Sequence, residues 1–304
     1  MAKEEKTTGM KQKAKWIVGG AIGVFVLLFI IGAVFGTPSA DSVFKDMSDK
    51  MLQTKSVNID QKMTMRGNDG TVNSIDSNLF MDLSNNSQLQ TKGNFSLNIV
   101  SSQPMTVAGD VVKIGDSGYV KYTDFSSTNS RINQAFSAIK AKFGDNWIKT
   151  RTSDQYSSFA DAALKFAANI LPTPVANLND TQRKAVLALL QDKSMYTITE
   201  SSKVETEGVS AYKYILTYDK AQLKKVADLL TSDVNYLSKD DTNDSQVTSL
   251  TVWVNISTKQ IIKIEYTGTT KDGEASGTIT FSKYDQVQKV EKPADYFIES
   301  ELLN

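Results

Sequence analysis

The longest apolar run in the sequence extends from Trp16 to Gly36 and contains no charged residue. At about 1.5 Å of rise per helical residue, a run of this length reaches roughly 30 Å, the thickness of the hydrocarbon core of a bilayer. A single segment can cross lipid without leaving backbone polar groups unpaired only as a helix. The sequence therefore predicts one transmembrane helix at residues 16–36.

Lysines dominate the residues directly before this run. Because positive residues stay on the cytoplasmic side of a membrane, residues 1–15 are predicted to be a cytoplasmic tail and residues 37–304 an extracytoplasmic domain of a single-pass cell-membrane protein. A cleaved signal peptide is the alternative. The run is longer than the usual apolar core of about 7–15 residues, and Pro38 lies close to the candidate cleavage site after Ala40, so an uncleaved anchor is favoured.

The chain contains neither cysteine nor histidine. This composition excludes disulfides, thiolate nucleophiles, a Ser-His-Asp triad and a histidine-bound zinc ion. The formal charge is +3 over residues 1–36 and −3 over the remainder, and a weakly acidic domain argues against nucleic acid as a partner. We expect a protein without catalytic residues, a cofactor or a metal ion.

Most of the chain after Lys55 alternates apolar and polar residues, the pattern of half-buried strands. About ten or eleven antiparallel strands are predicted, and the tail from Val287 is predicted to be irregular or briefly helical. Apolar residues at helical spacing predict one helix before the strands and four that interrupt them, at Ala40–Thr54, Ser130–Lys142, Ser153–Leu171, Asn179–Leu190 and Asp219–Leu230. The fold class is therefore α+β, with helices on one side of a large curved sheet.

Two patterns that can mark chemistry are interpreted as carrying none. The Ser-x-x-Lys spacing of penicillin-recognising enzymes occurs without their Ser-Asp-Asn and Lys-Thr-Gly motifs, at Ser42–Lys45, Ser137–Lys140 and Ser210–Lys213. An acidic loop that lacks the EF-hand glycine and closing glutamate contains Asp240, Asp241, Asn243 and Asp244. The first is assigned to chance and the second to a solvated loop.

Several short strings follow one another in a fixed order between residues 40 and 300. They are Asp116–Lys121, Asn146–Lys149, Val204–Gly208, Tyr212–Tyr214, Leu250–Asn255, Ile279–Tyr284 and the late Pro293. This order resembles the LolA/LppX-like superfamily, and within it the LppX/LprG-type bacterial lipoproteins. The resemblance implies a curved antiparallel half-barrel with helices packed on its concave side and an apolar cavity, between the two layers, that holds lipids or acyl chains.

By the same resemblance, the last three predicted helices line that cavity. The candidate lipid-cavity residues are Phe159, Ala163, Phe166, Ala167, Ile170, Val186, Leu187, Leu190, Leu223, Val226 and Leu230. The same apolar faces also suit simple packing on the sheet. Many family members carry a lipid-modified cysteine, which this chain lacks, and the predicted transmembrane helix takes its place.

We therefore expect a non-catalytic protein, fixed in the membrane, that binds a lipid or lipoglycan outside the cytoplasm. The alternative is a structural or sensory envelope domain with a filled core that recognises a protein or an envelope polymer. The sequence leaves the oligomeric state open.

Overall fold

The computed structural model describes residues 43, 46, 47, 50, 53–84, 90–100, 104–115, 117–149, 196–218, 246–270 and 273–298. The predicted transmembrane helix and the last three predicted helices lie outside these residues. Within the described ranges, no helix has the length and apolar character needed to cross a membrane.

Twelve strands form one sheet in the order β12-β6-β5-β4-β3-β2-β1-β11-β10-β9-β8-β7. Their bounds are β1 Ser56–Gly67, β2 Val72–Asp82, β3 Gln90–Ile99, β4 Met105–Ile114, β5 Ser117–Ser127, β6 Trp147–Lys149, β7 Tyr196–Thr206, β8 Val209–Tyr218, β9 Gln246–Asn255, β10 Ile261–Thr270, β11 Gly273–Ser282 and β12 Tyr296–Ile298. All neighbouring strands are antiparallel except β12 and β6, which are parallel. This open sheet fits the predicted curved half-barrel.

The alternation read from the sequence gives the sheet one apolar face, here called the inner face. Met63 of β1 lies opposite Ile75 of β2, and Ile75 lies opposite Leu97 of β3, so successive strands bring apolar residues to the same side. Other fully buried residues of this face are Leu79, Val120, Leu250, Val252, Ile264 and Ile279. The predicted apolar face is confirmed.

A helix, α1, covers Ser130–Phe143 and confirms the helix predicted at Ser130–Lys142. It begins after Asn129, whose side-chain Oδ1 accepts a hydrogen bond from the Arg131 amide at 3.0 Å and so caps the helix. It ends at Gly144, which has a φ of 58° and donates its amide to the Lys140 carbonyl at 2.7 Å. Phe136 of this helix is buried, and its ring stacks on Phe125 of β5.

Helical residues also precede β1, as the sequence predicts for the segment after the apolar run. Val43 and Met47, one turn apart, are both buried. The hydroxyl of Thr54 donates to the Lys50 carbonyl at 2.8 Å, and the chain then enters β1.

The prediction for the tail is wrong at its end, because Tyr296–Ile298 forms β12 and raises the strand count to twelve. Three residues are too few to show an alternating pattern. The residues before β12, 283–295, are here called the C-terminal strap. The strap crosses the outer face: the Asp285 amide donates to the Ser56 carbonyl at 2.8 Å, and Lys92 Nζ donates to the Lys289 carbonyl at 2.9 Å.

The outer face is mostly polar but carries two small apolar clusters. The strap cluster consists of Phe80, Val112, Tyr119 and Val290, with Ile114, Trp147 and Tyr296 packed against it. The tryptophan cluster consists of Ala211, Trp253 and Ile262, with Val204 and Val209 packed against it.

The two edges of the sheet differ in length. β12, at one edge, has three residues, whereas β7, at the other, has eleven. β7 pairs with β8 through a register irregularity between Ile198 and Glu200.

Candidate ligand-binding site

None of the eleven residues predicted to line a lipid cavity falls within the described part of the chain. They belong to residues 151–195 and 219–245. Their roles stay predictions, and a site must be sought in the sheet and α1.

A cavity of about 440 Å³ lies between α1 and the neighbouring end of the sheet. Four residues of α1 line it at the spacing of one helix face: Asn133, Phe136, Ser137 and Lys140. The sheet side is lined by Tyr122, Thr123, Asp124, Phe125, Ser126 and Ile148, and the end of the helix by Gly144 and Asn146. Its volume is within the range of small-molecule pockets.

Aromatic contacts hold α1 against the sheet beside this cavity. The rings of Phe125 and Phe136 stack with centroids 3.4 Å apart and an angle of 3° between their planes. Tyr122 meets Phe136 edge-on, with centroids 5.4 Å apart. The start of the helix is tied to β5 by Asn133, whose Oδ1 accepts from the Ser127 amide at 2.9 Å and whose Nδ2 donates to the Ser127 carbonyl.

The cavity has an apolar floor and a polar rim. Phe125, Phe136 and Ile148 supply hydrocarbon, whereas Asp124, Ser137 and Lys140 are exposed and polar and form the rim. The described residues contain no group of three or more carboxylate side chains that could hold a metal ion. The cavity thus places hydrocarbon beneath exposed polar side chains.

The inner face also carries polar side chains that were not among the predicted site residues. Gln61 and Ser77 lie opposite each other on β1 and β2 and are 1% and 6% exposed. Neither amide atom of Gln61 nor the hydroxyl of Ser77 has a hydrogen-bond partner. A signal was present in the sequence, because Gln61 occupies a position at which the alternation from Ile59 to Met63 requires an apolar residue.

Of the three Ser-x-x-Lys motifs assigned to chance, Ser42–Lys45 lies outside the described residues, and Ser137–Lys140 lies on the face of α1 that lines the cavity. Ser210 and Lys213 lie on β8, where residues three apart face opposite sides of a sheet. Ser210 donates its hydroxyl to the Glu205 carboxylate, and Lys213 Nζ lies 5.8 Å from the centroid of the Trp253 ring. The acidic loop at 240–244 lies outside the described residues.

Comparison with known proteins gives structural similarities alone. No family model matches the chain, and no curated protein matches it. The crystal structure of LprF from Mycobacterium bovis is similar over 85% of this chain and 99% of that chain, with 15% identity and a TM-score of 0.47. A LolA superfamily protein from Nitrosomonas europaea is similar over 84% of this chain and 96% of that chain, with 10% identity and a TM-score of 0.25. Function is therefore inferred from the chain's own residues.

Proposed function

We propose that this protein is a non-catalytic lipid-binding protein that holds acyl chains between the inner face of the sheet and the helices. The observation that carries the proposal is the cavity of about 440 Å³ between α1 and the sheet, with its apolar floor and polar rim. Each CH₂ group that an acyl chain buries there contributes about 0.8 kcal/mol. The order of sequence strings that resembles the LolA/LppX-like superfamily supports the same ligand class.

The proposed arrangement has a cytoplasmic tail at residues 1–15, a membrane-spanning helix at 16–36 and an extracytoplasmic domain at 37–304. The uncharged run and the lysines before it support this arrangement. A tethered domain cannot travel between distant membranes. Local binding, presentation or sensing of lipid therefore fits better than long-distance transport.

The proposal is tested with the full chain purified from membranes and transferred into an amphipathic polymer. Native mass spectrometry and solvent extraction then identify the lipid that accompanies it. The variant Ser137→Trp places an indole on the helix face that lines the cavity, and Ala138→Trp places the same group on the next residue of α1, which does not line it. Loss of lipid from the first variant, with retention in the second, is the expected result.

Two results would contradict the proposal. One is a full-length chain that carries no lipid and takes none up from vesicles. The other is equal lipid content in the two tryptophan variants, which would place the ligand away from α1.

A second candidate is a structural or sensory envelope domain with a filled core. Burial of the inner face favours it, because Ile75, Leu79 and Val252 are all completely inaccessible to solvent. A chain that is fully stable and consistently empty after purification would support this candidate.

A further inference from the structure

The inner face contains one pair of polar side chains at its centre, on β1 and β2. Gln61 faces Ser77 across these strands, and both are more than nine-tenths buried without a hydrogen-bond partner. An unsatisfied buried polar group costs about 1–3 kcal/mol. Selection for stability alone would favour apolar residues at these two positions. We therefore expect a bound molecule to supply the hydrogen-bonding partner of the pair.

The inner-face positions of the sheet around the pair carry no charge. The inner-face neighbours on β1, β2 and β11 are apolar or glycine, and they are Ile59, Met63, Ile75, Leu79, Gly277 and Ile279. No charged residue occupies an inner-face position on β1, β2, β3, β10 or β11. The sheet therefore offers no counter-charge to a buried phosphate or carboxylate, which favours an uncharged group as the partner.

Aromatic rings flank the pair on both sides. The Tyr266 ring lies over Gly277, where a Cβ would come within 2.4 Å of its hydroxyl oxygen. Phe95, the neighbour of Ser77 on β3, leans over Gly109, with a ring carbon 3.1 Å from the position of a Cβ there.

Tyr266 completes the set of hydrogen-bonding groups. Burial raises the pKa of its hydroxyl, with a smaller opposite effect from the adjacent Gln61 amide, so the hydroxyl is a protonated donor at neutral pH. If Tyr266 donates to Gln61 Oε1, the two N–H bonds of the Gln61 amide and the Ser77 hydroxyl are left as donors. One amide N–H and the hydroxyl together match the two lone pairs of one carbonyl oxygen.

One row of the sheet joins this pair to the cavity beneath α1. From β1 to β5 the register places Gln61, Ser77, Phe95, Gly109 and Tyr122 next to one another. Tyr122 lines the cavity. At about 4.8 Å per strand, roughly 14 Å separate Ser77 from Tyr122, a distance that an acyl chain can span.

We propose that Gln61, Ser77 and Tyr266 bind the carboxylic ester group of an acyl-chain ligand. The Gln61 amide and the Ser77 hydroxyl donate to the ester carbonyl oxygen, and the chain runs along the inner face toward α1. This inference rests on the proposed lipid-binding function and specifies its ligand as a neutral acyl ester.

The test measures binding of three fluorescent probes to the full chain in an amphipathic polymer. The probes are a pyrene-labelled fatty acyl ester, the corresponding pyrene-labelled alkane of equal length, and the corresponding alcohol. The ester is expected to bind the wild-type chain most tightly. Gln61→Met and Ser77→Ala are each expected to weaken ester binding about five- to tenfold while leaving alkane binding unchanged.

A matched control is available on the same face. Thr91 is fully buried with an unpartnered hydroxyl, but it lies opposite Met81, four residues along β2 from Ser77. Thr91→Val is expected to leave the ratio of ester to alkane affinity unchanged. Thermal unfolding of each variant at or above the wild-type temperature confirms that the fold is intact, because removing an unsatisfied buried group does not destabilise it.

The outcomes separate this inference from the function on which it rests. If the wild-type chain binds neither ester nor alkane, the lipid-binding function fails, and the inference fails with it. If it binds both equally, or if the two variants keep the full preference for the ester, only the inference is overturned. Equal binding of alcohol and ester would also overturn the assignment of an ester.

Discussion

The two apolar clusters on the outer face are shielded from solvent by different parts of the chain. In the strap cluster, a distant segment of backbone crosses the sheet and Val290 packs onto Phe80, Val112 and Tyr119. In the tryptophan cluster, the cover includes side chains from the sheet itself. Lys263 Nζ lies 4.8 Å from the centroid of the Trp253 ring, and Lys213 Nζ lies 5.8 Å from it.

The difference is between a cover that depends on the whole fold and one that depends on local register. Lys213 and Lys263 are the cross-strand neighbours of Trp253 on β8 and β10, so forming these strands is enough to bring them to the ring. Lysine stems cover apolar surface while their ammonium groups stay in water. Val290 reaches its cluster only after the strap has crossed the sheet.

The largest effect is expected from Trp253→Ala. Trp253 is 7% exposed, and truncating a buried tryptophan costs about 3–5 kcal/mol of unfolding free energy. Chemical denaturation of the variant measures the loss, with Thr251→Ala on the same face of β9 as a control of small effect. A loss below about 1 kcal/mol would mean that the cluster contributes little.

Val290→Ala is expected to cost about 2 kcal/mol, because two buried methyl groups are lost and a cavity remains. The same change should loosen β12, which follows Val290 in the chain and pairs with β6 over three residues. Hydrogen exchange at Ile148 and Phe297 is the measurement. Unchanged exchange there would show that the pairing of β12 with β6 does not depend on the packing of Val290.

Tyr284 connects the strap to β10, the strand that contributes Ile262 to the tryptophan cluster, since its hydroxyl donates to the Ile261 carbonyl at 2.5 Å. Burial of that hydroxyl, with a smaller contribution from Asp285, raises its pKa well above the usual 10. The pKa of Tyr284 is higher in the folded state than in the unfolded state. The stability that its protonated hydroxyl contributes is therefore fully present below pH 10 and falls by about 1.4 kcal/mol per pH unit as the pH rises above 10.

Denaturation between pH 9 and 11 tests this expectation for Tyr284. Tyr284→Phe should lower stability at pH 8 by removing the hydrogen bond, but it should flatten the decline at alkaline pH. The same slope in both chains would assign the decline to other tyrosines, such as Tyr266 or Tyr214, whose pKa values burial also raises.

The stability that Lys263 gives the tryptophan cluster should depend more on its hydrocarbon stem than on its charge. Lys263 is 23% exposed in its side chain and also pairs with Glu265 at 2.5 Å. Lys263→Met keeps the hydrocarbon stem and is expected to cost less than about 1 kcal/mol, whereas Lys263→Ala should cost more. Equal losses of stability in the two variants would mean that the charge contributes more than the stem.

The smallest effect is expected at the exposed pair of Lys289 and Glu291 in the strap. Lys289, by its hydrogen bond and its charge, lowers the pKa of the Glu291 carboxyl. Lys289→Gln should return that pKa toward its ordinary value in an NMR titration. Stability from this pair would be present above the unfolded-state pKa and lost as the pH falls, but solvent screening should make the change undetectable in unfolding.

The regular strands were predictable because each is long enough to show its period. The alternation through Val57, Ile59, Met63 and Met65 places one face of β1 inside, and the register of β2 follows from the turn at Gly70. The turn predicted at Glu207 and Gly208 is also present, with φ values of 52° and 77°.

The features that escaped sequence reasoning depend on long-range contacts. β12 follows a segment in which Val290 and Lys289 meet residues about 170 to 210 positions earlier in the chain, and no local pattern records such contacts. Gln61 and Ser77 were missed because single polar residues within apolar alternation resemble ordinary variation. Only pairing β1 with β2 reveals that the two exceptions face each other.

The long edge strand β7 has a consequence for the protein at high concentration. Within the described sheet β7 pairs only with β8, and it carries exposed Glu200, Lys203 and Glu205. A register irregularity next to Glu200 disturbs the row of backbone groups that another strand would need. Charges and irregularities of this kind discourage edge-to-edge aggregation. Copies crowded together should therefore resist joining their sheets into fibres.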